Sequence, residues 1–364
     1  MRRFSVEFWR LFLVRNRKLI LIISPIILLV ITGAVVWFIA GSKMPEPLQE
    51  APPPTPEPPQ EVPHLLNGVL VSPELQERRV VAVMIENSPA ARPQIGLTSA
   101  DVVYEAVTEG GITRFMALYS QLYPTKAGPV RSARSYFLDW ASEFDAFYAH
   151  AGGSPTALKK IGEYSIKAYP HSNDAYWREP RRGVASEHTL FVDAAKIFQF
   201  GVEKRGWPAT HTFASLPFKD GQAGGLAQSV TVNFSTNGYQ TTWQYQPETG
   251  LYLRSMASQR HLDRDSGQQI AVKTLIVQTV NRTPNPSYSS GRESEWTMQT
   301  LGSGPASIFQ DGQRIDGTWR KDSRTARTKF FDGENQEIQL VRGKLWYAIV
   351  PQTGTISVAE LPAS

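Results

Sequence analysis

The chain has 364 residues, no cysteine, and a formal charge of +5 from 38 bases and 33 acids. The missing thiol excludes disulfides, thiolate metal sites, a cysteine nucleophile and anchoring through a lipidated cysteine. Residues 1–18 hold six bases and one acid, the whole of the excess, so the remainder carries 32 of each and gives no support for a nucleic-acid partner.

Leu19 to Ala40 (LILIISPIILLVITGAVVWFIA) is uncharged. As a helix rising about 1.5 Å per residue it reaches about 33 Å, enough for a hydrocarbon core of about 30 Å. Arg2, Arg3, Arg10, Arg15, Arg17 and Lys18 precede it against the single acid Glu7. The positive-inside bias then keeps residues 1–18 cytoplasmic and sends the rest across. Pro25 is compatible with a membrane helix, because neighbouring groups re-satisfy the freed carbonyl. A cleaved signal peptide is the rival reading, but Phe38, Ile39 and Ala40 put bulk where a small-x-small site is needed. The expectation is a single-pass signal anchor over 19–40 in the cell membrane, N-terminus cytoplasmic and C-terminal domains extracytoplasmic.

Residues 41–63 include MPEPLQEAPPPTPEPPQEVP, whose prolines and polar residues cannot pack a core and read as an extended linker. About 300 residues follow, a comfortable length for two domains. A glycine-rich seam over Asp220, Gly221, Gln222, Ala223, Gly224 and Gly225 separates them into 64–220 and 226–362.

In the first domain Arg79 to Glu86 (RVVAVMIE) is an apolar run suited to a buried strand. DVVYEAVTEGGITRFMALYSQL reads as a hairpin about Gly110-Gly111, although its first stretch also fits a helix. SARSYFLDWASEF places Tyr136, Phe137, Trp140, Ala141 and Phe144 at helical spacing, with Asp139 and Glu143 on the other face. DAFYAH returns as a strand, Ser154-Pro155 caps a second helix, and Asp193 opens a third that Gly206 closes. In the second domain Asn237-Gly238, Thr249-Gly250, Asp311-Gly312 and Asp332-Gly333 punctuate short strands, which predicts a mostly antiparallel β meander. The fold class expected is α+β: an N-terminal membrane helix, a proline-rich linker, a layered α/β sandwich and a β-rich domain.

No Gly-x-Ser-x-Gly elbow, Ser-x-x-Lys, His-Glu-x-x-His or phosphate loop occurs. The six histidines never fall four apart on a predicted helix, so neither a metal nor a cofactor is expected. Polar residues instead gather at strand ends, glycine turns and helix starts of the first domain, where backbone amides are free. The candidate ligand set is Asn87, Arg92, Arg114, Arg131, Ser132, Arg134, His150, Gly152, Gly153, Ser154, Asp174, Arg178 and His188. Glu86, Glu105 and Glu109 are the candidate catalytic carboxylates. The competing reading is that all of these are paired structural ions and turn caps. The sharpest expectation is an anion pocket where GPVRSAR and AHAGGSP enter their helices, with Arg114, Arg131 and Arg134 gripping a carboxylate or phosphate. Trp243, Trp296, Trp319 and Trp346 are open to sugar stacking, although tryptophans in sheets are usually core.

Three blocks, IENSPAARPQIGLTSADVVYEAVTEGGITRFMALYS, GPVRSARSYFLDWASEFDAFYAHAGGSP and GTWRKDSRTARTKFFDGENQEIQLVRGKLWYAIVP, resemble the YerB-like family of bacterial lipoproteins. The resemblance covers residues from about 66 to about 360 and implies two adjacent domains without a known reaction, the first an α/β layered sandwich. Relatives anchored by a lipidated cysteine differ from this chain, which has only its apolar helix for that purpose. Function must therefore be argued from the site. The expected role is a binding or scaffolding module for an acidic envelope ligand or envelope protein, held to the membrane by its helix. A hydrolase of an envelope polymer using a carboxylate pair is the alternative.

Overall fold

The computed structural model describes residues 10, 12–41, 60–171, 174–222, 224–225, 228–289 and 294–360. Residues 1–9 and most of the linker, 42–59, lie outside the described residues. The chain divides into two compact units, Met1–Pro58 and Pro59–Ser364.

In the first unit α1 (Arg17–Gly41) is a 25-residue helix, long and apolar enough to cross a membrane. It contains Pro25, and its described apolar side chains are exposed on every side, the pattern of a lipid-facing span rather than of an amphipathic surface helix.

In the second unit, ordered structure begins before residue 64: Val62–Pro63 pairs with Leu70–Val71, and His64 behind it is buried. The strands that follow are β1 (Val81–Glu86), β2 (Val102–Val107), β3 (Thr113–Tyr119), β4 (Phe147–His150) and β5 (Ala168–Pro170). The next group is β6 (Gln228–Asn233), β7 (Gln240–Gln246), β8 (Leu251–Met256), β9 (Gln259–Arg260) and β10 (Ala271–Val272). The last are β11 (Thr274–Val280), β12 (Gly302–Gln310), β13 (Gln313–Lys321), β14 (Lys329–Phe331), β15 (Leu345–Pro351) and β16 (Thr355–Glu360). Helices α2 (Ser135–Ala141), α3 (Pro155–Glu163) and α4 (Ala194–Glu203) lie in the first half.

A ten-stranded sheet runs β14-β13-β12-β11-β15-β2-β3-β1-β4-β5 and joins both halves of the sequence. The joint is β15, which is parallel to β11 on one side and to β2 on the other. The β2–β3 hairpin forms as the glycine pair predicts. Asp311 and Gly312, both at positive φ (52° and 68°), make the two-residue turn between β12 and β13. The second half is not a simple meander, because β11 and β15 are parallel and β16 crosses to a second sheet ordered β9-β8-β7-β6-β16, with β10 on β8.

Successive residues of a strand face opposite sides, so Trp346 and Tyr347 identify the two layers. Tyr347 stacks on Tyr104 at 4.4 Å, and Tyr104 stacks on Trp140 of α2. Trp346 meets Trp243 of β7 edge-on at 5.2 Å, so the second sheet packs on the opposite face. Trp243, Trp319 and Trp346 are fully buried, which makes them core and not a sugar-stacking surface. Helix α2 is followed by a 3-10 turn, Ser142–Phe144, and its polar side is buried too. Asp139 and Glu143, expected to face solvent, are covered by chain from the second half: Thr300 bonds Asp139 at 2.7 Å, and Lys321 and Arg327 hold Glu143 at 2.9 and 2.8 Å.

Candidate functional site

Between the two sheets lies a closed ring of six hydrogen-bonded side chains, all buried. Arg254 Nη2 donates to Glu105 Oε2 at 2.7 Å and Arg254 Nη1 to His261 Nδ1 at 2.5 Å. With Nδ1 accepting, the His261 proton sits on Nε2, which donates to Gln94 Oε1 at 2.7 Å. Gln94 Nε2 donates to Asn87 Oδ1 at 2.9 Å, Asn87 Nδ2 to Thr113 Oγ1 at 2.6 Å, and Thr113 Oγ1 to Glu105 Oε1 at 2.8 Å. Trp346 Nε1 adds a further donor to Glu105 Oε2 at 3.1 Å. The ring thus has one source of donors, Arg254, and one sink, Glu105, joined by two routes. Burial, reinforced by Arg254 and Arg92, pushes the His261 pKa well below its ordinary value, so the imidazole is neutral. A buried ring closed in this way rigidifies its surroundings, although Arg254 Nε has no hydrogen-bond partner among the described residues. Glu105 is wholly buried and accepts from an arginine, an indole and a hydroxyl.

The ring opens onto a cavity of about 380 Å³ at the junction of the two halves, lined by Pro89, Arg92 and Pro93 from one side and by Met256, Ala257 and 259–262 from the other. Arg92 is fixed by three bonds: Nε to Asn87 Oδ1 at 3.2 Å, and Nη2 to the Asn87 and Gly238 carbonyls at 3.0 Å each. Its guanidinium lies 5.0 Å from the centre of the Tyr239 ring. Burial lowers the Arg92 pKa. Neither Arg92 nor Arg260 has a carboxylate at ion-pair distance among the described residues, so this cavity presents two uncompensated guanidinium groups. Ligand sites favour such junctions.

The other expected residues do not join this place. Glu86, at the carboxyl end of β1, accepts from His188 Nδ1 at 2.8 Å, Arg131 Nε at 3.1 Å and Ser88 Oγ at 2.9 Å; Arg131 also reaches Glu187 at 3.2 Å. Arg134 grips Glu109 bidentately, both contacts at 2.6 Å. Arg114 is buried and donates to the Ser132 carbonyl at 2.8 Å, and burial pushes its pKa down to about 10. His150 Nδ1 donates to the Gly152 carbonyl at 2.7 Å. Asp174 and Arg178 are exposed, Arg178 bonding the Ser186 carbonyl.

Two expectations are therefore corrected. The pocket at the starts of α2 and α3 is not open: Arg131 and Arg134 are paired with carboxylates, Gly153 packs on Leu158, and Ser154 both caps α3 through Ala157 N (3.2 Å) and donates to Glu295 at 2.5 Å. The anion at that helix start is the chain's own, delivered by the ribbon of Arg282–Ser289 and Ser294–Met298. Nor do the glutamates form a catalytic pair. Glu86 lies opposite Arg114, which lies opposite Ala106, so the adjacent Glu105 faces the other side of the sheet. Glu109 stands apart on Arg134.

Sequence reasoning missed Gln94, Thr113, Arg254 and His261. Only Arg254 carried a signal: in LYLRSM the alternation that buries Tyr252 and Met256 also turns Arg254 inward. No cluster of three or more histidine, aspartate or glutamate side chains able to hold a metal occurs among the described residues.

Comparison with known proteins agrees with this architecture. Residues 66–208 match the N-terminal domain and residues 230–347 the C-terminal domain of the family described as protein of unknown function (DUF3048). The chain is 29% identical over 308 residues to YerB of Bacillus subtilis (strain 168), covering 81% of this chain and 88% of that protein. The crystal structure of YerB from Bacillus subtilis superposes with a TM-score of 0.71 at 27% identity, covering 80% of this chain and 98% of the other.

Proposed function

This chain belongs to the DUF3048 family of YerB-like proteins, and we propose that it is a single-pass, membrane-anchored extracytoplasmic protein that binds an acidic envelope ligand or partner. The observation that carries the binding part is the junction cavity, where Arg92 and Arg260 have no carboxylate at ion-pair distance among the described residues while Glu86, Glu105 and Glu109 are each held by separate cations. Arg92 Nη1 and the two terminal nitrogens of Arg260 make no hydrogen bond among the described residues and are left to donate to a carboxylate or phosphate.

The location rests on α1, the basic residues before it and the relative's printed name, "Putative lipoprotein YerB". The same destination is reached here without a cysteine to acylate. Two experiments test the reading. Protease added to intact spheroplasts should cut within 42–59 and release one compact fragment; protection until lysis would refute the topology. The released fragment should sediment with purified envelope, and Arg92→Ala should weaken binding per folded molecule about tenfold or more, beyond any fall in Tm from the lost bonds to Asn87 and Gly238. Undiminished binding by this variant would refute the site.

A further inference from the structure

A second cavity, of about 370 Å³, lies between the end of α2 and the loop joining β13 to β14. We propose that it is a carboxylate-binding site anchored by Arg324, separate from the junction cavity and independent of where the protein resides.

Glu143 in the wall is shared by Lys321 and Arg327, at 2.9 and 2.8 Å. Asp145 is likewise shared by Arg79 and Lys167, at 2.8 and 2.5 Å. Each carboxylate that lines the cavity therefore already serves two cations. A third acid, Asp139, lies within electrostatic reach of Lys321 and Arg324 and is hydrogen-bonded to Thr300. Arg324 itself has no carboxylate at ion-pair distance among the described residues. With Lys160 also near Asp139, six cations thus meet three carboxylates, and the one on the cavity wall without a carboxylate at ion-pair distance among the described residues is the Arg324 guanidinium.

Geometry then selects the ligand. Arg324 Nη1 donates to Ser142 Oγ at 2.7 Å, and the guanidinium carbon lies 4.4 Å from the centre of the Tyr164 ring. These two contacts fix the plane of the group. The opposite edge, Nε with Nη2, makes no hydrogen bond among the described residues. That edge presents two parallel N–H groups, the fork that matches the two oxygens of a carboxylate. Tyr164, whose ring carries the Arg324 guanidinium, and Phe213 line the same cavity, so the ligand is a carboxylate on an apolar or aromatic body.

Isothermal titration of the full chain in detergent micelles tests this, with benzoate, acetate and inorganic phosphate as probes. Benzoate should bind saturably in the millimolar range, more tightly than acetate or phosphate. Arg324→Gln should weaken it about tenfold or more at an unchanged Tm, and Arg324→Lys should weaken it nearly as much, because it keeps the charge but loses the fork. Arg92→Ala should leave it unaltered, and undiminished envelope binding by that variant would count against the junction site alone. Benzoate affinity unchanged in Arg324→Gln, affinity lost in Arg92→Ala, or no saturable binding at all would each overturn the proposal.

Discussion

Arg254 and Glu105 lie 2.7 Å apart with both side chains wholly buried, one from each of two facing sheets. A charge left alone in that place has no water to turn to.

Removing either partner should therefore lower the unfolding free energy by about 3–5 kcal/mol. Glu105→Gln and Arg254→Met test this by urea denaturation of residues 60–364. The double variant should lose less than the sum of the two, since it removes the stranded charge. Strict additivity would show that the two groups are not coupled.

Residues 226–364 should not fold alone. Their strand β15 has β2 as its second neighbour, and the inward Arg254 would lose its carboxylate. The longer fragment 60–364 should be soluble, monomeric and cooperative on heating. A sigmoidal melting curve from the shorter fragment, followed by circular dichroism, would contradict this.

Acidification should destabilise the fold through its buried neutral histidines. His64 accepts from Leu66 N at 3.2 Å and donates from Nε2 to Ser120 Oγ at 3.1 Å, and burial pushes its pKa down to about 4. His261 and His150 are also lowered, by burial first. Below the ordinary histidine pKa of about 6.5 the unfolded chain takes up protons that the native state refuses, so stability falls as pH drops from there toward 4. Asp101, pushed up to about 6 by burial, works in the opposite sense below that pH. His64→Gln should make the decline shallower by up to about 1.4 kcal/mol per pH unit across this window. Equal slopes in parent and variant, from denaturation at a series of pH values, would remove His64 from the account.

Arg134→Ala breaks the bidentate grip on Glu109 and should cost about 1.5–3 kcal/mol. Envelope binding per folded molecule should be unchanged. A loss of binding at constant Tm would restore the pocket first expected at the helix starts.

Much of the local structure was legible in the sequence because its causes are local. Ser154 and Asp193 cap their helices, Gly110-Gly111 turns the first hairpin, and Asp311-Gly312 turns another. What could not be read depends on partners far away in the chain. Nothing near Val102–Val107 signals that Leu345–Pro351 will lie beside it. For the same reason Asp139 and Glu143 read as a solvated helix face although Thr300 and Lys321 cover them, and Arg131 and Arg134 fit an open pocket or a structural ion network equally until Glu86 and Glu109 are placed against them. Asn87 and Glu105 stood out among the polar residues gathered at strand ends and turns, but their ring closes through Arg254 and His261.

The placement of β15 also dictates an order of events during synthesis. One side of β2 is paired by β3 as soon as the hairpin forms, but the other keeps its peptide groups bare until the ribosome has reached Pro351. An apolar strand with an open edge is a template for pairing with another chain. The nascent polypeptide carries that hazard through most of its elongation, so export machinery that holds it unfolded to the end would protect it, and a stop codon before Leu345 would yield a sticky product rather than a smaller working one.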